Sequence, residues 1–414
     1  MTTTINNEDK KLNVPNLRFK EFQEEWKEER LADIADLYKG TGISKDQLSV
    51  DGEPCILYGE LYTKYKSETI KKVISKTSID NAKLVRSKAN DVIIPCSGET
   101  AEDIATARCV LKDNILLGGD LNIIRLRGHD GSFISYQLNG KRKYDIAKVA
   151  QGVSVVHLYC EHLKGVKTIN PCLDEQKKIA GLLALLDERI ATQNKIIDKL
   201  QSLIKGIADN ILDNPLWKKT YLRSFMQFFS TNSLSWEQLS YEEGEIRNLH
   251  YGLIHGFFTS GIKSYSLPMV KYGEMPKQYT LCQVGDVAFA DASEDTDEIG
   301  KSVEFVDTIK GDTICGLHTI HGRDIKNRTV VGFKGFAFNS RYFHNQIKRL
   351  AQGTKVFSIT ANNLSSCYVY LPDVETQKVI VKLLKAYEEQ LIISRMTLKQ
   401  YEKQKQYLLR QMFI

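Results

Sequence analysis

Residues 173–212 read LDEQKKIAGLLALLDERIATQNKIIDKLQSLIKGIADNIL, and the pattern of apolar residues in this stretch decides the fold. Apolar side chains recur at alternating steps of three and four residues, which is the heptad spacing of a coiled coil. The a positions are Leu183, Ile190, Ile197, Ile204 and Ile211, and the d positions are Ile179, Leu186, Gln193, Leu200 and Ile207. At 1.5 Å per residue this helix is a rod of roughly 60 Å. The helix cannot bury so long a stripe alone, so the pattern predicts a second long helix as its partner.

A second stretch of the same kind closes the chain. Residues 373–413 read DVETQKVIVKLLKAYEEQLIISRMTLKQYEKQKQYLLRQMF, and they align with the first stretch at a constant shift of 201 positions. The matched segments and residues are 150–152 (AQG) with 351–353 (AQG), Pro171 with Pro372, Gln176 with Gln377, Ile179 with Ile380, and Leu183 with Leu384. The chain is therefore a tandem duplication, in which each copy is a globular part followed by a long helix.

The duplication predicts the domain organisation and an α+β fold. The segments are a flexible N-terminal tail (1–14), a first globular domain (15–171), a first long helix (172–213), a second globular domain (214–371) and a second long helix (372–414). Both domains contain short strand-like runs bounded by Gly, Asp or Asn, including EPCILYGELYTKY at 53–65 and NLHYGLIHGFF at 248–258. Segments 135–150 and 340–351 have helical patterns. A whole domain separates the two long helices, so the connection alone leaves both parallel and antiparallel pairing open.

Composition narrows the class of protein. The net charge of +6 permits nucleic-acid binding without requiring it. The eight cysteines are scattered, with no Cys-x-x-Cys pair, so we expect reduced thiols and no metal site. The polar N-terminus lacks the apolar segment of a signal peptide, and no run approaches the length of a membrane span. These features predict a soluble cytoplasmic protein.

The two globular domains are themselves related, although their loops have diverged. Residues 58–59 (Tyr-Gly) align with 251–252 at a shift of 193, while Asp91 aligns with Asp286, and Glu99 with Glu294, at a shift of 195. The residues between these positions differ widely. Such a pattern fits two readers of different targets on one scaffold, and simple drift after duplication would produce the same pattern.

Catalytic motifs are absent from the sequence. The phosphate-binding loop G-x-x-x-x-G-K-[ST] and the dinucleotide fingerprint G-x-G-x-x-G do not occur. The N-P-P-[FY] signature of amino-methyltransferases is also missing, because the chain has no Pro-Pro pair. The sequence therefore predicts a non-catalytic protein.

Taken in order, these features resemble the specificity subunit of a type I restriction–modification enzyme. The resemblance covers nearly the whole chain, from Leu17 to the C-terminus. Its marks are the PNLRF opening, KGTGISKDQL, YGELYTKY, CSGETAED, HYGLIH, DASEDTDEIGKS, GLHT, LPDVETQK and the two AQG triplets. No single motif is decisive, but their order at the 201-residue period is highly specific.

The resemblance implies an architecture and a set of partners. Each globular domain would be a target recognition domain that reads one half of a bipartite, asymmetric site in double-stranded DNA. The long helices would form an antiparallel coiled coil that sets the spacing of the half-sites and docks two methyltransferase subunits, with restriction subunits added to them. The chain itself would need no cofactor, and S-adenosylmethionine, ATP and Mg²⁺ would serve the partner subunits. The rival interpretation is a coiled-coil adaptor that binds proteins and does not read DNA.

Candidate DNA contacts follow from side-chain chemistry. Basic side chains contact phosphates, tyrosines stack or donate hydrogen bonds, and carboxylates accept from the cytosine amino group. The candidates are Lys39, Lys45, Tyr58, Glu60, Tyr62, Lys64, Tyr65, Lys66, Ser97, Glu99, Thr100, Arg125 and Arg127 in the first domain, and His250, Tyr251, His255, Ser293, Glu294, Asp295 and Lys301 in the second. The alternatives are structural histidines, solvated lysines and loop-capping acidic residues.

Candidate coiled-coil contacts follow from the heptads of both helices. They are Ile179, Leu183, Leu186, Ile190, Gln193, Ile197, Leu200 and Ile204 in the first helix, and Ile380, Leu384, Tyr387, Leu391, Ser394, Leu398, Tyr401 and Leu408 in the second. In an antiparallel pair, Gln193 and Ser394 would meet near the middle as a polar layer that fixes the register.

Overall fold

The computed structural model describes residues 13–79, 84–152, 154–257, 260–307 and 313–414, so the predicted tail lies almost wholly outside the described residues. The chain divides into two units. Unit 1 comprises the residues up to 194 together with 396–414, and unit 2 comprises residues 195–395. Each unit thus contains one globular part and a half of each long helix. No helix in the described ranges is both long and apolar enough to cross a membrane.

Unit 1 is built from short strands and short helices packed against the first half of one long helix and the last part of the other. In chain order its strands are β1 (Lys27–Arg30), β2 (Ala35–Lys39), β3 (Leu48–Ser49), β4 (Glu53–Ile56), β5 (Thr69–Ile70), β6 (Ser75–Thr77), β7 (Val85–Arg86), β8 (Asp91–Pro95), β9 (Ser97–Gly98), β10 (Arg108–Val110), β11 (Leu116–Leu117), β12 (Leu121–Leu126), β13 (Val156–His157) and β14 (Lys167–Asn170). Its helices are α1 (Leu31–Ile34), α2 (Glu60–Thr63), α3 (Ala101–Ile104), α4 (Gly131–Asn139), α5 (Lys143–Val149), α6 (Cys160–Lys164) and the first half of α7 (Leu173–Leu212).

Unit 2 repeats this construction. Its strands are β15 (Lys218–Tyr221), β16 (Met226–Phe229), β17 (Leu239–Ser240), β18 (Arg247–Leu249), β19 (Gly261–Lys263), β20 (Met269–Val270), β21 (Val287–Ala290), β22 (Ala292–Ser293), β23 (Ser302–Asp307), β24 (Thr313–Cys315), β25 (Thr319–Asp324), β26 (Phe357–Ser358) and β27 (Tyr368–Leu371). Its helices are α8 (Tyr251–Gly256), α9 (Phe333–Ala337), α10 (Arg341–Leu350), α11 (Ala361–Ser366) and the first half of α12 (Val374–Gln411).

The first sheets of the two units have the same strand order, and the second sheets share theirs over four strands. In the described part of unit 1, one sheet runs β2–β12–β8–β10–β5, and the matching sheet of unit 2 runs β16–β25–β21–β23–β19. The second sheets run β3–β6–β4–β11–β7 and β17–β20–β18–β24. The outer pairs β5–β10 and β19–β23 are both parallel, as are β4–β11 and β18–β24. The structure therefore confirms the α+β fold and the duplication that the sequence predicted.

Buried glutamines show that the match extends to single hydrogen bonds. In unit 1, Gln176 donates to the Pro171 carbonyl at 2.8 Å and accepts from the Asp130 amide at 2.9 Å. In unit 2, Gln377 donates to the Pro372 carbonyl at 3.0 Å and accepts from the amide of residue 330 at 3.0 Å. Each glutamine fixes the first turn of a long helix to its own globular part, which explains why the same residue occupies both positions.

The long helices pair antiparallel, as each unit shows by itself. In the core of unit 1, Ile179 and Leu183 near the start of α7 cluster with Met412 and Phe413, which follow α12. In the core of unit 2, Leu212 at the end of α7 clusters with residues near the start of α12, including Leu384. Every side chain that the heptads place in the seam is buried or half-buried, including Gln193 and Ser394.

Two runs predicted to be strands contain helices instead. The strands β4 and β18 end before residue 58 and residue 250, and the chain then turns into α2 and α8. Alternating large residues suggested strands, but the buried residues are four apart, at Leu61 and Tyr65 and at His250 and Ile254. This is the helical spacing, and the tertiary core selects it over the β propensity of Tyr and Ile.

A buried charge network ties the globular part of unit 1 to both long helices. Lys405 of α12 donates to Glu68 at 2.5 Å and to Asp187 of α7 at 2.7 Å. Tyr136 and Ser67 also donate to Asp187, at 2.7 and 2.8 Å. Burial raises the pKa of Glu68. Burial lowers the pKa of Lys405, but the two carboxylates outweigh it and hold the pKa above its usual value.

We predict that Lys405→Ala destabilises the chain by about 3 kcal/mol, because it leaves two carboxylates buried without their cation. The matched control is Lys403→Ala, an exposed lysine two residues away, which should change the unfolding free energy by less than about 0.5 kcal/mol. Denaturant unfolding of the purified variants measures both values. Equal stability of the two variants would show that the network contributes nothing.

Candidate functional site

In unit 1, the helix α2 packs beside the strand β9. The Tyr62 hydroxyl donates to the Ser97 carbonyl at 3.0 Å, and the Ser97 hydroxyl lies 3.5 Å from Nδ1 of His157. A Cβ atom on Gly98 would lie 3.2 Å from the Tyr62 hydroxyl, so glycine permits this close approach. We define the unit 1 loop cluster as the exposed Tyr58 and Glu99 together with Tyr62, Ser97 and His157.

Sequence reasoning missed the aromatic residues that extend this cluster. The rings of His157 and Tyr159 stack with centroids 6.1 Å apart, and Tyr159 meets His162 edge-on at 5.4 Å. These residues follow the first AQG triplet. In the antiparallel pair of β13 and β9, His157 lies opposite Ser97. Two histidines and a tyrosine within the six residues 157–162 were the available signal.

In unit 2, the helix α8 carries a larger cluster of rings. His250 lies 4.7 Å from Tyr251, and Tyr251 meets His318 edge-on at 5.3 Å, measured between ring centroids. His255, one turn further along α8, forms a 3.1 Å hydrogen bond with Glu298. We define the unit 2 loop cluster as His250, Tyr251, His255, Glu298 and His318. Sequence reasoning did not select Glu298, or Trp236, whose ring lies 4.5 Å from that of His250.

Burial and hydrogen bonding fix the charges in the unit 2 loop cluster. His250 is buried and its Nδ1 accepts from the Gly252 amide at 3.2 Å, which caps α8. Burial lowers the pKa of His250, and the nearby His318 lowers it further. Burial raises the pKa of Glu298, but hydrogen bonds from His255 and Lys301 outweigh it and hold the pKa below its usual value. The cluster therefore contains a neutral imidazole at the buried His250 and a charged carboxylate at Glu298.

A cleft of about 790 Å³ lies beside this cluster within unit 2. Its lining includes His255, Glu298 and Lys301 from the cluster side, and Arg341 and Lys348 from α10. Lys348 also pairs with Asp297. The cleft thus mixes both signs of charge.

Three predicted contact residues hydrogen-bond the backbone of their own loops. Thr100 caps α3 by accepting from the Asp103 amide at 3.1 Å. Ser293 accepts from the amide of Asp295 at 3.1 Å, and Asp295 accepts from the next-but-one amide at 2.8 Å. These side chains shape the two acidic loops, and they leave Glu99 and Glu294 exposed at matching positions.

Other predicted contact residues are held inside unit 1. The Glu60 carboxylate is buried and accepts from Lys64 at 2.6 Å. Tyr65 is also buried, and burial raises its pKa to about 12. Arg125 donates twice to the buried carboxylate of Asp91, at 3.0 and 2.7 Å. These side chains serve the fold, because their polar atoms already have partners inside the domain.

The remaining predicted basic residues lie at the surface or its edge. Lys39, Lys45 and Lys66 are exposed, as is Arg127, which pairs with Asp36. The two clusters offer hydroxyls, imidazoles and carboxylates with lysines nearby, which is the chemistry of a polar binding surface. Among the described residues, the group with the arrangement of metal ligands lies elsewhere, in the core of unit 2, and consists of Cys282, Cys315 and His321.

Comparison with known families gives a clear match. The family model described as "Type I restriction modification DNA specificity domain" matches residues 23–202 and 316–402, which together span more than half of the chain.

Individual relatives agree with this match. The chain is 24% identical over 401 residues to the type I restriction enzyme MjaVIII specificity subunit of Methanocaldococcus jannaschii, covering 92% of this chain and 90% of that protein. Its fold is similar to the crystal structure of a type I restriction-modification system S subunit from M. genitalium, with a TM-score of 0.59, 16% identity and coverage of 97% and 99% of the two chains. A chain from a structure on complex assembly and conformational transition of the type I R-M system has a TM-score of 0.53, 14% identity and coverage of 93% and 96%.

We predict that acidification destabilises the cap that His250 forms. Its pKa in the folded chain lies below the unfolded value of about 6.5, so its contribution is complete above roughly pH 6.5 and is lost as the pH falls below that value. His250→Asn keeps a capping acceptor that does not titrate. Denaturant unfolding at roughly pH 7.5 and 5.5 should show a larger loss of stability for the wild-type chain than for this variant. Equal losses would contradict a neutral, capping His250.

Proposed function

Because the chain belongs to the type I restriction–modification DNA specificity family, we propose that each unit reads one half of a bipartite, asymmetric DNA site. The observation that supports this most directly is a contrast within the chain. The two units share their strand order and their buried glutamine bonds. Their loop clusters differ, with Tyr62, Ser97 and His157 in one and three histidines in the other. A common scaffold with different side chains in its loop clusters suits two readers of different base sequences.

We propose a division of contacts on each surface. The exposed lysines Lys39 and Lys45 would contact phosphates, which positions the domain without reading bases. The exposed carboxylates Glu99 and Glu294 would accept from cytosine amino groups in the major groove. Tyr58 would stack or donate a hydrogen bond at the same surface.

We further propose that the outer faces of α7 and α12 dock two methyltransferase subunits, to which restriction subunits are added. Both helices carry exposed apolar side chains outside the seam, which would contribute apolar contact area to such a docking surface. They are Leu182, Leu185, Ile196 and Leu203 on α7, and Val379, Leu383, Ile392, Ile393 and Met396 on α12. Methylation with S-adenosylmethionine, and cleavage with ATP and Mg²⁺, would then belong to the partner subunits.

We predict a specific effect on DNA methylation. When the chain is co-expressed with a methyltransferase subunit from its own host, mapping of methylated adenines should reveal a single split motif with a fixed spacer. Omission of the chain should abolish this methylation. Methylation that persists without the chain, while the subunits demonstrably assemble, would favour the protein-binding adaptor.

Variants in the same assay separate the two half-sites. Glu294→Gln should relax or change the base preference in one half of the motif only, and Glu99→Gln in the other half only, because each loses one carboxylate acceptor. The matched control is Glu102→Gln, an exposed acidic residue on α3. A motif that changes in both halves with either variant would contradict the assignment of one half-site to each unit.

A further inference from the structure

Three side chains with metal-binding atoms meet in the core of unit 2. Cys282, Cys315 and His321 are all buried, and their ligand atoms lie within 4.8 Å of one another. The two Sγ atoms are 3.6 Å apart. This is shorter than the roughly 3.8 Å that two thiolates span on a tetrahedral ion with metal–sulfur bonds of about 2.3 Å. The spacing of the two sulfurs therefore suits a shared ion with only a small adjustment.

The ligand residues come from separate elements, which is why the sequence predicted no metal site. Cys282 precedes β21, and its amide donates to the Thr313 carbonyl of β24 at 2.8 Å. Cys315 ends β24, whereas His321 lies in β25 of the other sheet. A search for local motifs such as Cys-x-x-Cys finds metal ligands that lie on one loop. It does not find ligands that strand pairing brings together from distant parts of the sequence.

The imidazole of His321 is held in the tautomer that a metal requires. Its Nε2 donates to the Asp286 carboxylate at 2.7 Å, and Arg323 donates to the same carboxylate at 2.8 and 2.7 Å. Because Nε2 is engaged by the carboxylate, Nδ1 is the ring nitrogen left to bind an ion. That nitrogen is buried and has no hydrogen-bond partner among the described residues. Metal-binding histidines typically donate their second ring nitrogen to a carboxylate in this way.

From these contacts we propose that unit 2 binds one zinc ion through the Sγ atoms of Cys282 and Cys315 and Nδ1 of His321. Two sulfurs and one imidazole form a ligand set that zinc favours. Each thiol gives up its proton to the solvent when it binds the ion. A further oxygen is close in sequence, because Thr313 lies on the same face of β24 as Cys315. Its buried hydroxyl has no hydrogen-bond partner among the described residues.

Unit 1 provides an internal comparison for the second shell. There, Arg125 of β12 donates twice to the buried Asp91 carboxylate, just as Arg323 of β25 does to Asp286. Because unit 1 forms the same carboxylate–arginine pair, the pair by itself is no evidence of a metal site. In unit 2, the imidazole of His321 also hydrogen-bonds Oδ2 of Asp286, and this contact is the additional feature.

The three ligand positions are occupied differently in unit 1. Strand register matches Cys282 with Ser87, Cys315 with Leu117, and His321 with Ile123. The Ser87 amide donates to residue 115 at 2.8 Å, in the same way that the Cys282 amide donates to Thr313. The fold therefore accepts one hydroxyl and two aliphatic side chains at these positions. Unit 2 has thiols at two of these positions and an imidazole at the third, although the shared fold does not require them.

The ion would join the two sheets of unit 2. Cys315 lies in the sheet of β18 and β24, and His321 lies in the sheet of β21 and β25. Both cysteines pack in an apolar cluster with side chains such as Leu249 and Phe305, which keeps water from the site. The metal would fix the relative position of the sheets beneath α8, whose Ile254 belongs to the same cluster.

The test measures metal content and stability of the full-length chain, purified under reducing conditions after growth with zinc. Elemental analysis should find about one zinc per wild-type chain, and a strong chelator should lower Tm. Cys282→Ser and Cys315→Ser should each lose the zinc. The matched control Cys367→Ser removes another buried thiol of unit 2 and should retain it. Cobalt substitution of the wild-type chain should give a thiolate-to-cobalt charge-transfer band, which keeps the test valid if a variant fails to fold.

Several outcomes would overturn the proposal. A wild-type chain without zinc, whose Tm is unchanged by chelator and which gives no cobalt band, binds no ion at this site. Copper in place of zinc would refute the choice of metal. An intact mass lower by two hydrogen atoms, with two fewer free thiols after exposure of the zinc-free chain to air without reductant, would identify a Cys282–Cys315 disulfide instead. Retention of zinc in both cysteine variants would place the metal elsewhere.

Discussion

A helix of 40 residues with one apolar stripe is stable in water only when another surface covers that stripe, and this requirement organises the chain. The chain supplies the covering surface by repeating the same helix after a second globular part. In each unit, the start of one helix packs against the end of the other. A unit is therefore complete only when both halves of the duplicated sequence contribute to it. The two copies therefore do not form two independently folding domains.

Polar interactions specify this arrangement more narrowly than the apolar seam does. The network of Glu68, Asp187 and Lys405 can form only if α12 returns past the first half of α7. Gln176 and Gln377 fix each long helix to its own globular part through backbone bonds. These buried groups define register and direction, because a shifted pairing would leave charges or amides buried without partners.

The sequence predicted the long helices from their heptad spacing, and the two helices begin at Leu173 and Val374, 201 residues apart as the period requires. It did not predict α2 and α8, since Tyr and Ile favour strands locally while the core selects a helical turn. The two acidic loops were located correctly in sequence. Their chemistry was less predictable, because only the structure separates the capping Thr100 and Asp295 from the exposed Glu99 and Glu294.

An exchange of globular parts would show whether each part reads its own half-site. Residues 214–371 would be replaced by a second copy of 15–171, which the matched strand orders and glutamine bonds should accommodate. If each part reads its own half-site, the exchanged chain, co-expressed with its methyltransferase, should direct methylation to a split palindrome. Both arms of this palindrome should repeat one half of the natural motif. An unchanged asymmetric motif, or a well-assembled complex that methylates unrelated sequences, would show that the globular parts do not each read one half-site.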